Sequence, residues 1–371
     1  MANDNAFELH SGDTVALVGT KRGLFLLRSA DRETWECAPT KLSGARVYNA
    51  MLDQRGGRRR IFATDNGDFF GTFLRYSDDL GQTWQEPERG IQFPEESGLS
   101  LKNIWTIEPG RRDQPNVVYA GVDPATLWVS EDGGVTWSVN EELAKHAATG
   151  EWQPGAGGLC LHTIVPDYSN PERMWIGISS VGCLRTDDNG KTWRYMNKNT
   201  RAGFLPDPYP EYGQCLHRMT QHPTQPEVLY QQNHCGIYKT EDGAESWIDI
   251  QRDLPSEFGF PIALDPQRPD TVFVIVEEPM GRHNVGDQFT VYRTQDGGDS
   301  WEPLTIGLPK GPGVRLGVLR HGMCTDTHSS CGVYVGTNTG QLFMSPDSGE
   351  SWRLIADFLP SINSVTVAVI E

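Results

Sequence analysis

The chain has 371 residues, 37% hydrophobic and 22% charged, with a formal net charge of −17. An acidic balance of this size argues against nucleic acid and anionic membrane as partners, and no run of 18 apolar residues is present to span a bilayer. Met1–His10 carries neither a basic region nor an apolar core and reads as no secretory signal. The seven Cys, an odd number without paired Cys-x-x-Cys spacing, read as reduced, buried thiols of a cytoplasmic protein.

From the N-terminus, Val15–Gly19 and Gly23–Arg28 predict two strands, closed by Ser29–Trp35, a shortened Ser-x-Asp turn ending in Trp. The full pattern is Ser/Thr-x-Asp-x-Gly-x-Ser/Thr-Trp. It recurs at Ser77–Trp84, Ser130–Trp137, Thr186–Trp193, Thr294–Trp301 and Ser345–Trp352; Thr240–Trp247 has Ala244 in place of Gly. The seven Trp stand at 35, 84, 137, 193, 247, 301 and 352, a repeat near 50 residues. Periods of that size mean stacked units, each burying its face on a neighbour. Each motif lies between short apolar runs, as in Arg173–Ser179, Gly182–Thr186 and Thr192–Tyr195, and a further run such as Cys160–Val165 or Pro261–Leu264 stands upstream. These are strand and turn signals, four strands to a unit. The expected fold is all-β: a seven-bladed β-propeller, one domain over 1–371. The first unit lacks an inner strand and Ser364–Ile370 is a strand without a unit, so the C-terminal strand is expected to complete the first blade and close the ring.

Within the motif, Asp accepts bonds from its own turn, Gly takes the positive-φ position and Trp packs between sheets. Because every unit has it, the motif reads as structural. It resembles the Asp-box (BNR) repeat of sialidases and related propellers, over nearly the whole chain. The spread of repeats is similar to bacterial Asp-box proteins described as sialidases or glycosyl hydrolases, and to the seven-bladed photosystem II assembly factors. No sialidase residue carries over: sialidases have six blades, and their Arg-Ile-Pro phrase is absent, the nearest match being Lys21-Arg22-Gly23.

A site is expected at the mouth of the central channel. Registering inner strands on Asp53, Glu108-Pro109, Asp167, His222-Pro223, Asp265-Pro266 and Asp326 places Tyr48, Asn103, His162, His217, Phe260 and His321 five residues earlier, at one height. Alternation points Arg218 and Arg320 away from the channel. Three His at one level, with Gln232, Asn233 and His234 on an adjoining turn, suggest three uses. They could hold a divalent metal such as zinc, through His162, His217, His321 and His234. They could serve as metal-free acid–base or ligand-binding groups, or fill a narrow channel with polar side chains. Carboxylates on turns at the same face are Asp65, Asp68, Asp123, Glu277 and Glu278, and a pair flanking a sugar could act as acid and nucleophile. Asn140–Gly158 (opening with a short helix, Glu141–Ala148), Met196–Gly213 and Pro279–Gln288 are long loops expected to shape the pocket. Three function classes follow. The first is a hydrolase-like enzyme acting on a small polar or carbohydrate-like molecule, catalysed from His162, His217, His321, Glu277 and Glu278. The second is a scaffold binding a protein partner, and the third a glycosidase driven by paired carboxylates.

Overall fold

Seven antiparallel sheets surround one channel in a computed structural model that describes residues 7–67, 71–155 and 157–371. Asp68, one of the turn carboxylates, lies outside the described residues, as do residues 1–6. Six sheets have four strands. The second has three, Ala50–Asp53, Arg60–Gly67 and Gly71–Ser77, where four were expected. Its fourth strand shrinks to one bridge between Tyr76 and Gln85. Pro87 follows two residues later and has no N–H to extend the ladder.

Ile362–Val369 is the inner strand of the first blade. It pairs antiparallel with Thr14–Thr20, from Thr14 opposite Val369 to Thr20 opposite Ile362, so the last strand closes the ring on the first. The buried apolar residues fall into clusters that lie between neighbouring blades. One joins Phe62 and Leu74 to Ile104 and Trp128, and another joins Trp175 and Cys183 to Leu216 and Trp247. Gly121 and Gly177 let the next inner strand come close: a Cβ on them would stand 2.4 Å from the Leu161 carbonyl oxygen and 2.6 Å from Leu216 Cδ2.

The repeated turns are built alike. In the third blade Ser130 Oγ donates to Asp132 Oδ1 at 2.8 Å, and Asp132 accepts from the backbone of Val135 and Thr136 and from the Thr136 hydroxyl. The shortened first copy keeps its bonds from Glu33 and Thr34 to Asp31. Ala244 adopts the φ of +75° that glycine takes elsewhere. Trp247 and Trp301 tie each turn to the preceding blade, donating to the carbonyls of Met196 and Ile250.

These bonds hold Asp79, Asp132, Asp188 and Asp296 at pKa values of about 2. For Asp79, Asp188 and Asp296 the hydroxyl and backbone donors of the turn are the main cause. For Asp132 those donors outweigh an opposing effect of burial. A depressed carboxylate pKa stabilises the fold above the unfolded value of 3.8, and that stability is lost as pH falls toward 2. Urea midpoints should therefore drop steeply between pH 4 and about 2; a flat profile there would contradict the turn's role.

Candidate functional site at the channel mouth

Five inner strands carry a bulge near their start; the closing strand leaves over Asn363, and four others follow the same pattern. The register shifts between Ile104 and Thr106, Leu161 and Thr163, Leu216 and Arg218, and Gly259 and Ile262. The residues left over are Trp105, His162, His217, and Phe260 with Pro261. A bulge re-aims side chains and breaks strict alternation, which explains why Arg218, expected to point away, lies against the His321 ring. Arg320 also turns inward. Its guanidinium stands 5.7 Å from the Trp105 ring and 5.3 Å from the Phe260 ring, and it donates to Ser179 Oγ at 3.2 Å.

The strands share a closing backbone bond: Asp167 to Arg173, His222 to Val228, Asp265 to Thr271 and Asp326 to Gly332. In the third blade that bond runs from Gly110 to Val117. Five residues before Gly110 stands Trp105, so Trp105 shares the height of His162 and His217. Asn103, taken for that position from the sequence, opens its strand opposite Asp123. Tyr48 stacks on Trp105 at 4.5 Å between centroids, and His217 on Phe260 at 4.4 Å.

The four candidate His divide among three settings. His162 is fully buried, with Nδ1 bonded to Thr163 Oγ1 and Nε2 to the Leu216 carbonyl, both at 3.0 Å. His321 faces the Arg218 guanidinium. His217 and His234 sit together, 5.7 Å between rings, among Phe204, Phe258 and Phe260. The metal-ligating atoms that converge are those of Cys215, His217 and His234, all within 4.8 Å of one another. His162 and His321 are not brought into that set. Burial, followed by nearby arginines, holds the pKa of His162, His217 and His321 well below 6.5, so all three are neutral at pH 7. His234 is lowered too, by burial and then Arg282.

Of the carboxylates, Glu277 is buried against Phe258, whose carbonyl accepts its backbone N–H. Its Oε1 accepts from Val318 N at 2.7 Å, while Oε2 has no partner. Burial pushes its pKa up to about 7, against smaller lowering effects from the Val318 bond and Arg282. Glu278 is solvent-exposed. Asp123 is buried with Oδ1 3.9 Å from Lys102 Nζ, and burial raises its pKa against a smaller lowering effect of Lys102. Asp65 pairs with Arg75 at 2.8 Å. Gln232 and Asn233 are buried in the fifth blade, leaving Gln232 Oε1 and Asn233 Nδ2 without partners. Trp105 Nε1 and Arg320 Nε are likewise unpartnered. Sequence reasoning missed Trp105, Cys215, Arg282 and Arg320 as site residues. The signal for Cys215 is its nearness to His217, two residues along the chain.

Seven blades with Asp turns on their outer hairpins make this chain an Asp-box (BNR) repeat β-propeller. Residues 75–86 match the BNR/Asp-box repeat model. The chain is 20% identical over 274 residues to a xyloglucanase of Hypocrea jecorina (strain QM6a), covering 66% of this chain and 31% of that protein. Its fold is similar to a GH74 enzyme of Niastella koreensis (TM-score 0.61, 18% identity, 92% of this chain and 52% of the other). An ancestral GH74 enzyme overlays with TM-score 0.60 at 15% identity, covering 85% of this chain and 39% of the other. The chain thus spans between about a third and a half of these relatives' lengths. Among the described residues no helix is long and apolar enough to cross a membrane.

Proposed function

We propose that the channel mouth binds a small polar, carbohydrate-like molecule and hydrolyses it, with Glu277 as the acid–base group. One observation carries this reading: a mixed set of unpartnered polar atoms lies at the mouth-side ends of the blades. Trp105 Nε1, Arg320 Nε and Asn233 Nδ2 donate, and Gln232 Oε1 and Glu277 Oε2 accept. Buried polar groups are normally satisfied, and a polyhydroxylated ligand offers donors and acceptors together. The Tyr48–Trp105 stack and Phe260 supply the apolar faces that such a ring covers. A carboxyl group with a pKa of about 7 is matched to proton transfer at neutral pH, whereas the neutral His162, His217 and His321 serve as hydrogen-bonding walls.

Arg282 and Arg320 form no ion pair among the described residues, and both guanidiniums lie over Phe260. They favour a sugar carrying a carboxylate or another anionic group. The test is a hydrolysis and binding panel of neutral and acidic oligosaccharides, headed by xyloglucan fragments because the chain is similar to a xyloglucanase. Trp105→Ala should weaken binding about tenfold, and Glu277→Gln should leave binding intact while cutting turnover roughly 100-fold or more. Full turnover in Glu277→Gln would end the enzymatic reading. A protein that captures no saccharide would end the ligand class as well.

A further inference from the structure

We propose that Cys215, His217 and His234 form a binding site for a borderline-soft divalent ion of the zinc type, with a fourth position open to the mouth. Local structure brings the three ligands together. Cys215 immediately precedes the inner strand Leu216–Gln221 of the fifth blade, His217 is its second residue, and His234 lies on the turn that follows the paired strand. The His234 backbone N–H donates to the Cys215 carbonyl at 2.9 Å, which ties the turn to the ligand strand.

The donor set has the chemistry such an ion requires. The Gly259 carbonyl can only accept, so the 2.5 Å bond to His217 Nδ1 places the ring proton there. That leaves the His217 Nε2 lone pair free, 3.4 Å from Cys215 Sγ. A zinc ion bound by thiolate and imidazole at ordinary bond lengths sets sulfur and nitrogen about 3.5 Å apart in a tetrahedron. Fixing one imidazole nitrogen by a carbonyl is the usual support for a metal-bound His. The His234 ring is half-buried and meets Phe204 and Phe258 edge to face, so it can pivot inward without breaking a hydrogen bond of its ring. Phe204, Phe258 and Phe260 flank the two imidazoles.

The charged groups near the set act in two directions. Burial raises the pKa of the Cys215 thiol and lowers that of both imidazoles; Arg320 and Arg282 oppose burial in part at the thiol and add to it at the imidazoles, while Glu257 opposes them at His234. Both arginines also repel a free cation, so binding depends on the thiolate charge. Binding therefore releases one proton, from the Cys215 thiol to solvent, while the sulfur lone pair forms the metal bond.

Titration of the full chain with cobalt(II) and zinc tests this without any substrate, so it fails or succeeds independently of the hydrolase reading. The expected result is one equivalent bound, one proton released per ion, and a thiolate-to-cobalt charge-transfer band that zinc abolishes. Cys215→Ser should lose the band, and Cys215→Ser and His234→Gln should each weaken binding at least about 100-fold. Cys160→Ala, which removes a buried thiol bonded to Ser179, should bind normally. Absence of binding in the folded wild type, or a band that survives in Cys215→Ser, would overturn the proposal.

Discussion

Removing residues 362–371 should leave the protein unfolded or aggregated at room temperature. The strand it deletes pairs with Thr14–Thr20 along its whole length. It also buries Ile362, Val365 and Ile370, each 2% exposed or less. Burial of three such side chains stabilises by roughly 5–9 kcal/mol, which is comparable to the whole stability of a typical domain. The loss opens the first blade and exposes an apolar strand edge on which other chains can pair. Asn363 Nδ2 and Thr366 Oγ1 also anchor the strand to the second blade, through the carbonyls of Val47 and Ala50. Circular dichroism melting and size-exclusion chromatography of the truncated chain check this. A soluble monomer with unchanged melting would show that the ring holds without its closing strand.

The second large effect is at Glu277. Its folded pKa of about 7 stands above the ordinary 4.5 because burial disfavours the carboxylate. A raised carboxyl pKa means that the folded state holds a proton the unfolded state has released. The associated stability is full below 4.5, declines as pH rises toward 7, and is gone above it. Glu277→Gln keeps the acceptor for Val318 N and cannot ionise. At pH 8 it should be more stable than wild type by on the order of 1–3 kcal/mol, with little difference at pH 5. Denaturant midpoints at the two pH values decide this; parallel profiles for the two proteins would mean that Glu277 is not held near neutrality.

The blades were legible because the Asp turn is a local device. Ser130, Asp132, Gly134, Thr136 and Trp137 bond or pack within a few residues of one another, so their spacing alone carries the structure. Ring closure was legible too, from one strand missing at the front and one left over at the back. The site was harder to read. Its residues come from different blades and meet only through register, and register in the inner strands depends on bulges that no residue type announces. One such shift put Asn103 where Trp105 belongs, and another turned Arg218 inward. Cys215 was visible beside His217, but its partnership with His234 depends on a backbone bond across two strands. The unpartnered Oε2 of Glu277 is a property of tertiary packing and has no sequence signature.

The pairing of Thr14–Thr20 with Ile362–Val369 also sets a schedule for synthesis. Thr14–Thr20 leaves the ribosome long before its partner Ile362–Val369. At 5–20 residues per second the interval is roughly 20–70 s. Throughout it, one edge of the first blade stays open while later blades are already stacking. The open edge of the first blade thus needs shielding until Ile362–Val369 has emerged, and loss of that strand is more damaging than a substitution in any one turn.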